Sequence, residues 1–244
     1  GVDSVNAEIE VLIMAYDITR SYGLKDNDFE IRVNNRKIVN YILREVFPFG
    51  EEAAHKLGKL IDKKNKMKPE VFDITVREIF HDAKSSISDT DIAADKFLTL
   101  LNSKNFEEFT ARLPQTKEEH RGLKEVHAVI HGLEKLGINN ARFDQTLMRG
   151  FDYYTGIVFE VFDLNPANSR SIFGGGRYDD LLALFGNEKV SAVGFGAGDV
   201  VARDIMETYK NLPGATGIPE IALLVVGEQN TPFAFEKAQE LREK

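Results

Sequence analysis

Three short segments combine residue types that could perform chemistry, and the first is a polar, aromatic turn. Residues 149–156 read Arg-Gly-Phe-Asp-Tyr-Tyr-Thr-Gly, so a cation, a carboxylate and two phenols lie close together. Arg149 could bind a phosphate or carboxylate with its planar guanidinium, while Tyr153 and Tyr154 offer hydroxyls and ring faces to a small polar ligand. Turns at strand ends often carry binding residues. An Arg–Asp ion pair beside two core aromatics is the alternative, and spacing alone leaves both open.

Two glycine-rich segments follow this turn. Residues 174–179 read Gly-Gly-Gly-Arg-Tyr-Asp, and residues 194–199 read Gly-Phe-Gly-Ala-Gly-Asp. Glycine lets a ligand approach the backbone closely, and a helix that begins near residue 199 could face an anion with its N-terminus. Neither segment has the pattern of a phosphate loop or a dinucleotide fingerprint. A tight turn and a strand-to-helix turn are therefore the alternatives.

The histidines and the lack of cysteines limit which other kinds of site the chain can form. His127 and His131 have the i, i+4 spacing that could hold zinc, but the Glu of a metalloprotease motif is missing, which favours a solvated helix face. We recognise no catalytic triad. Zero cysteines exclude disulfides, thiolate nucleophiles and cysteine-based zinc sites. We predict no metal site built by the chain itself.

Composition places the chain among globular proteins. With 244 residues and 43% hydrophobic content it can bury a sizeable core. A net charge of -8 argues against a broadly basic surface, although a few basic patches would suffice for local contact with nucleic acid. No apolar run approaches the ~20 residues that cross a bilayer, and the N-terminus lacks signal-peptide features. We expect a cytoplasmic protein with no membrane contact.

Periodicity indicates the elements that position these segments. Residues 4–22 have helical apolar spacing ended by Gly23, residues 28–33 alternate as a half-buried strand, and residues 34–37 form a polar turn into another helix. Residues from about 47 to 140 have repeated helical spacing, which predicts an inserted helical module.

The composition then shifts towards strands. Short segments rich in Phe, Val and Ile occur at 142–148, 156–162, 171–173 and 190–195. Strands that follow one another without intervening helices favour an antiparallel sheet. The predicted fold is therefore α+β, an antiparallel sheet flanked by helices.

The C-terminal part predicts the opening of a second domain. After a linker rich in Pro and Gly, residues 221–226 form an apolar run typical of a buried strand, and a helix follows from Pro232. Both ends of the sequence look truncated. The predicted domains are a catalytic core at 1–46 and 141–212, a helical insertion at 47–140, a linker at 213–219 and a truncated α/β piece at 220–244.

Together these segments resemble histidyl-tRNA synthetase, a class II aminoacyl-tRNA synthetase. Residues 149–154 resemble the first histidine-specific motif of that family, and residues 175–179 resemble the second. Residues 31–37 look like the family's strand-to-helix segment after class II motif 2, and residues 194–198 lie where motif 3 begins. Four matches in the right order are more specific than any one of them.

The resemblance implies the family's two-step reaction. Histidine attacks the α-phosphate of ATP to give histidyl-adenylate and pyrophosphate, and the acyl group then passes to tRNA(His). Arg149 would be the catalytic residue, between the substrate carboxylate and the α-phosphate. The remaining assignments are substrate contacts at Tyr153, Tyr154, Tyr178, Gly175, Gly176 and Arg177, and nucleotide contacts at Arg149, Gly196 and Gly198.

The resemblance also implies ATP with Mg2+, contact of the insertion and the C-terminal anticodon-binding piece with tRNA, and a homodimer in the full-length protein. The chain begins just after motif 2, so we expect it to be inactive alone. The family has an arginine in the motif 3 helix where Val201 stands, and Arg203 would face elsewhere on the helix.

Two other readings stay open. Loss of that arginine favours a non-catalytic relative that senses histidine, such as the regulatory subunit of ATP phosphoribosyltransferase. A helical protein-interaction module with an incidental sheet is the third, and it predicts that the three segments lie far apart.

Overall fold

A computed structural model describes residues 2–83, 89–114, 120–148, 153–168, 170–184, 186, 190–214 and 221–243. The chain divides into two compact units, Gly1–Asn211 and Leu212–Lys244. Within the described residues, no helix combines the length and apolar character that crossing a membrane requires.

A five-stranded sheet forms the centre of the first unit. The strands are β1 (Phe29–Asn35), β2 (Ala141–Phe143), β3 (Ile157–Asp163), β4 (Ser171–Arg177) and β5 (Val193–Ala197). Their order across the sheet is β2-β1-β3-β4-β5. The pairs from β1 to β5 are antiparallel, whereas β2 joins β1 in parallel after the long helical stretch between them. The predicted α+β class is confirmed, with a sheet that is mixed at one edge.

Helices flank the sheet in the first unit. They are α1 (Val5–Ser21), α2 (Arg36–Tyr41), a π-helical turn (Ile42–Val46), α3 (Glu51–Lys63), α4 (Pro69–Asp82), α5 (Thr90–Leu101), α6 (Phe106–Arg112), α7 (Arg121–Lys135) and α8 (Asp199–Thr208), with 3-10 turns at Lys64–Lys66 and Leu182–Leu184. The second unit contains a 3-10 turn at Glu228–Asn230 and α9 (Thr231–Arg242). Gly23 ends α1 with a φ of +101°, the left-handed conformation that favours glycine after a helix.

One face of the sheet is buried under α1 and α7. Phe29, Ile31 and Val33 alternate onto this face and are fully buried, as their spacing predicts. The two helices approach closely, since a Cβ added at Gly132 would lie 2.5 Å from Ile9 Cδ1. The core is therefore built between this sheet face and two helices from distant parts of the sequence.

The helical stretch adds an aromatic cluster to the same hydrophobic core. Phe47, Phe49, Phe80 and Phe97 pack together, with the Phe49 and Phe80 ring centroids 4.8 Å apart in an edge-to-face arrangement. The last helix of the stretch, α7, packs instead on α1 and the sheet. The domain boundary at residue 140 remains a prediction.

Two predicted strands differ in the structure. The strand expected at 142–148 ends at Phe143, because the Asp144 carboxylate accepts a hydrogen bond from the Thr146 N–H at 2.9 Å and turns the chain. The prediction of a strand at 221–226 is wrong. Those residues are irregular and exposed, since no strand among the described residues supplies the hydrogen bonds that a strand needs. The helix predicted after it is confirmed as α9.

Candidate functional site

On the second face of the sheet, strands β4 and β5 carry glycine in place of bulky side chains. Residues directly opposite one another across the strands share a face, and two rows of register partners can be followed across β1, β3, β4 and β5. The rows are Asn34, Val158, Gly176 and Gly194, and Arg32, Glu160, Gly174 and Gly196. The four glycines form a floor without side chains, which we call the glycine floor. A cavity of about 420 Å³ is lined by Met148 and by Arg32 and Glu160, which belong to the second row on β1 and β3.

Three tyrosines stand over one end of the glycine floor. The Tyr153 and Tyr154 ring centroids are 4.6 Å apart, and the Tyr178 ring lies 6.0 Å from Tyr153 and 6.4 Å from Tyr154. A Cβ at Gly176 would lie 2.9 Å from Tyr154 Cδ1, and one at Gly194 would lie 2.6 Å from the Tyr178 hydroxyl. Glycine at these positions therefore lets the tyrosines lie against the sheet.

The three predicted segments thus meet on one sheet face. Tyr153 and Tyr154 come from the first segment, Gly176 and Tyr178 from the second, and Gly194 from the third. The interaction-module reading, which predicts that they lie far apart, loses its support. Arg149, Gly150, Phe151 and Asp152 lie outside the described residues, so the expected contacts of Arg149 stay a prediction.

Asn34 holds the chain that leads towards residue 149. Its side chain is fully buried, and its Nδ2 donates to the Leu147 carbonyl at 3.0 Å. Its Oδ1 accepts from the Asn35 N–H at 2.8 Å, so both ends of the amide are satisfied. Leu147 in turn packs against Tyr154 and Val158. Asn34 therefore fixes the segment beside the tyrosine cluster.

Arg177 is buried within protein contacts at the end of β4. Its side chain is 5% exposed, and that of Glu8, its partner on α1, is 2% exposed. Nε donates to Glu8 Oε1 at 2.5 Å and Nη2 to Glu8 Oε2 at 2.7 Å, a bidentate geometry. Nη1 contacts Asp179 and Ser191. This arginine ties α1 to the strand that leads into Tyr178.

Asp179 extends this network to the first segment. Its carboxylate accepts from the Thr155 hydroxyl at 3.1 Å and from the Ser191 hydroxyl at 2.9 Å. Burial acts to raise the pKa of Asp179, but hydrogen bonds from Ser191, Arg177 and Thr155 outweigh it and hold this pKa below its usual range. The ionised carboxylate thus joins the chain around Tyr154 to the chain around Tyr178.

The far end of the glycine floor is open. A Cβ added at Gly196 would meet no atom of the described residues within 4 Å, and one at Gly198 would lie 3.7 Å from Val201 Cγ2. Val201 is half-buried and packs against the core. The Arg203 side chain is 70% exposed and pairs with Glu207 at 2.9 Å on α8 itself. Among the described residues of α8, the only arginine is therefore engaged within its own helix.

Metal-binding geometry is not found in the described part of the chain, where no three His, Asp or Glu side chains come together to hold an ion. His127 and His131 are both exposed on α7 with stacked rings 5.9 Å apart, and His131 pairs with Glu134.

Sequence reasoning missed two groups that shape the site. Glu8 looks like an ordinary first-turn acid of an amphipathic helix, and Ser191 looks like a loop serine. Each acquires its role only because the fold brings it to Arg177. No local signal in the sequence distinguishes them.

Comparisons with known proteins agree on one family. A family model described as histidyl-tRNA synthetase matches residues 1–198. The histidine–tRNA ligase of Leptospira biflexa is 31% identical over 245 residues, covering all of this chain and 54% of that protein. The chain therefore spans about half the length of the curated relatives it matches.

Solved structures give the same fold. A Bacillus halodurans protein described as an ATP phosphoribosyltransferase regulatory subunit/histidyl-tRNA synthetase is 25% identical, with a TM-score of 0.67 over 100% of this chain and 58% of that one. The histidyl-tRNA synthetase of Nostoc sp. PCC 7120 has a TM-score of 0.70 at 21% identity, covering 98% of this chain and 56% of that one, and supports the fold alone.

Proposed function

This chain belongs to the histidyl-tRNA synthetase family, and we propose that it supplies part of the active site of a histidine–tRNA ligase. In the first step a histidine carboxylate oxygen attacks the α-phosphate of ATP and pyrophosphate leaves. In the second step a hydroxyl of the terminal adenosine of tRNA(His) takes the acyl group and AMP leaves. Both steps require reactants held in line and negative charge neutralised at phosphorus.

The observation that carries the proposal is the tyrosine cluster at one end of a floor that is open at the other end. Tyr153, Tyr154 and Tyr178 would enclose the imidazole, with one hydroxyl bonded to a ring nitrogen. A pocket built to hydrogen-bond a ring nitrogen rejects analogues that lack it, because its own polar groups would be left unpaired. This gives the cluster a role in amino acid selection.

The open end of the floor would receive ATP. Among the described residues, no atom lies within 4 Å of a Cβ added at Gly196, so a flat purine or ribose would approach the backbone there, with Gly198 beside it. Arg149 would lie between the histidine carboxylate and the α-phosphate. Magnesium would neutralise the phosphates as part of the bound ATP.

The remaining predicted substrate residues would act by shaping the site. Gly176 makes room for Tyr154, while Gly175 lets β4 and β5 approach closely. Arg177 would position Tyr178 through its contacts with Glu8 and Asp179. In this proposal these residues determine where the tyrosines lie.

The complete protein would work as a cytoplasmic homodimer. Residues 47–140 would form the helical insertion and residues 220–244 the start of an anticodon-binding domain, both contacting tRNA. These assignments rest on family membership.

A second candidate is a histidine-sensing regulatory subunit of ATP phosphoribosyltransferase. Two features of α8 favour this candidate. Val201 offers no charge to the ATP phosphates, and Arg203 pairs with Glu207. The Bacillus halodurans neighbour carries both descriptions. Such a protein would need the tyrosine cluster and no nucleotide at Gly196.

The test measures histidine binding by calorimetry and histidine-dependent ATP–pyrophosphate exchange on the full-length protein that carries this chain. Arg149→Ala and Tyr154→Phe are compared with the unsubstituted protein, and Tyr22→Phe, outside the cluster, serves as the control. Exchange that requires histidine and collapses in Arg149→Ala supports the ligase. Histidine binding without exchange supports the regulatory subunit, and absence of histidine binding refutes both.

A further inference from the structure

Residues 145–147 form a short segment that covers β1 on the second face of the sheet. Asn34 of β1 is fully buried beneath it, and Asn34 Nδ2 lies 3.4 Å from the Gln145 carbonyl oxygen and 3.0 Å from that of Leu147. Across the strands, the row that begins at Asn34 continues through Val158 to Gly176. The 145–147 segment therefore adds a layer beside the position of the tyrosine cluster.

Leu147 is the residue of this segment that contacts the tyrosine cluster. Leu147, Tyr154 and Val158 form a buried hydrophobic cluster, against which Tyr153 and Tyr178 pack. Leu147 also lines the cavity of about 420 Å³. Because side chains in protein interiors are closely packed, a displacement of Leu147 is felt by the Tyr154 ring. The position of Leu147 thus determines one wall of the cluster.

Gln145 attaches the other end of the segment to α5. Its side-chain Nε2 donates to the Leu101 carbonyl at 2.9 Å and to the Ser103 carbonyl at 2.7 Å. The last carbonyls of a helix have no partner within that helix, and the two N–H groups of one glutamine amide satisfy two of them. Leu101 and Ser103 are both buried, so water is a poor substitute for this amide. The segment and the end of α5 are therefore held together.

Thr146, between these two residues, is held by a third part of the fold. Asn65, in the 3-10 turn after α3, donates from Nδ2 to Thr146 Oγ1 at 3.1 Å. The Thr146 hydroxyl in turn donates to Asp144 Oδ1 at 2.6 Å. Two of the three anchors of the segment thus belong to the helical stretch, and the third belongs to β1.

We infer that Gln145 is a positioning residue for the amino acid bound at the tyrosine cluster. By holding the 145–147 segment on the end of α5, Gln145 sets Leu147 and, through Leu147, the ring of Tyr154. The inference rests on the proposed function, which assigns histidine to this cluster. Binding side chains keep a productive geometry only when the residues around them lock their rotamers. Because coupling between two sites is reciprocal, histidine bound at the cluster also stabilises the end of α5.

The test uses the full-length protein that carries this chain and three variants. Gln145→Met keeps the length of the side chain and removes both N–H groups. Gln145→Lys restores donors that reach the last carbonyls of a helix. The matched control is Arg112→Met, since Arg112 also donates to a carbonyl of α5, that of Thr99, but does so from α6.

Three quantities are measured on each protein. Calorimetry gives the dissociation constant for histidine, and urea denaturation gives the free energy of unfolding. Hydrogen–deuterium exchange of residues 98–105 is followed with and without saturating histidine. The Asn102 and Ser103 N–H groups bond to carbonyls of the last turn of α5, so their exchange reports the opening of this helix end. Residues 69–82, which form α4, serve as the reference region.

We expect Gln145→Met to raise the dissociation constant for histidine about fivefold or more. Gln145→Lys and Arg112→Met should stay within about twofold of the unsubstituted protein. Histidine should slow exchange at residues 98–105 in the unsubstituted protein and in Gln145→Lys, but not in Gln145→Met. Exchange at residues 69–82 should not respond to histidine in any of the four proteins.

A purely structural role for Gln145 predicts a lower free energy of unfolding with an unchanged affinity for histidine, and that result overturns the inference. Equal losses of histidine affinity in Gln145→Met and Arg112→Met also overturn it, because they would reflect general destabilisation. The exchange measurement on the unsubstituted protein tests the inference without any variant, since exchange at residues 98–105 that does not respond to histidine overturns it. Failure of the proposed function is recognised separately, because the unsubstituted protein would then bind no histidine.

Discussion

Strands β4 and β5 lie side by side, and both are rich in glycine, but the structure uses the residues differently. In β4, Gly174, Gly175 and Gly176 are buried, and a Cβ at Gly175 would lie 2.1 Å from the Gly194 carbonyl oxygen. In β5, Gly196 is exposed, and no atom in the described part of the chain lies within 4 Å of its Cβ direction. Glycine is therefore required for packing at position 175, whereas at position 196 it leaves the sheet surface uncovered by described residues.

The strands also end differently. β4 ends in Arg177, which is buried with Glu8, whereas β5 leads into α8, whose Arg203 is exposed. We therefore expect substitutions in β4 to act on stability and substitutions in β5 to act on ligand binding.

The largest expected effect is at the end of β4. Arg177→Met leaves the Glu8 carboxylate buried without its partner and should lower the free energy of unfolding by about 3–5 kcal/mol. Arg203→Met, which removes an exposed i, i+4 pair, should cost less than about 0.5 kcal/mol. Urea denaturation at pH 7 measures both. Equal losses of stability in the two variants would contradict the difference expected between the ends of β4 and β5. The double variant Arg177→Met/Glu8→Gln should recover part of the stability lost in Arg177→Met.

The glycines provide the next contrast. Gly175→Ala should destabilise the protein by about 1–3 kcal/mol or more, because its methyl group overlaps backbone atoms of β5 that cannot move aside. Gly196→Ala adds a methyl group in open space and should change stability by less than about 0.5 kcal/mol. Thermal unfolding compares the pair, and a strongly destabilised Gly196→Ala would show that β5 is packed like β4.

A larger side chain in β5 tests ligand binding. Gly196→Val should raise the KM for ATP about tenfold in pyrophosphate exchange, since its branches occupy the open end of the glycine floor. Histidine affinity should stay within about twofold, because the tyrosine cluster lies at the other end. An unchanged KM for ATP would show that the nucleotide does not bind at this part of the sheet. Equal losses of affinity for ATP and histidine would indicate a general distortion of the protein.

The smallest expected effect is a pH dependence beside β4. The pKa of Asp179 is held below its usual range, so its ionised form stabilises the folded state at pH values above the unfolded pKa of about 3.9. This stabilisation should disappear as the pH falls through the folded pKa. At pH 7, Asp179→Asn should have a lower free energy of unfolding than the unsubstituted protein. Denaturation measured from pH 7 to pH 3 should show this difference shrinking as the pH falls. A difference in the free energy of unfolding that grows as the pH falls would contradict the predicted direction of the pH dependence.

Local sequence was sufficient where the physical cause is local. The α1 periodicity, its end at Gly23 and the alternation of Phe29, Ile31 and Val33 predicted elements that the structure confirms. The apolar run at 221–226 failed as a strand because strand pairing depends on a partner elsewhere, which periodicity cannot supply. Likewise, the end of the strand at Phe143 was decided by one hydrogen bond that the Asp144 carboxylate accepts from the Thr146 N–H.

For the candidate site, the sequence by itself determined the residue types: two tyrosines in one turn, a third after three glycines, and a further glycine-rich strand. Only the tertiary structure decided that these segments meet on one sheet face, since their contacts join positions far apart in the chain. It also decided that Arg177 is buried with Glu8, that Val201 packs into the core, and that Gln145 donates to the end of α5. Burial and charge pairing depend on which elements come together, and no single segment of sequence contains that information.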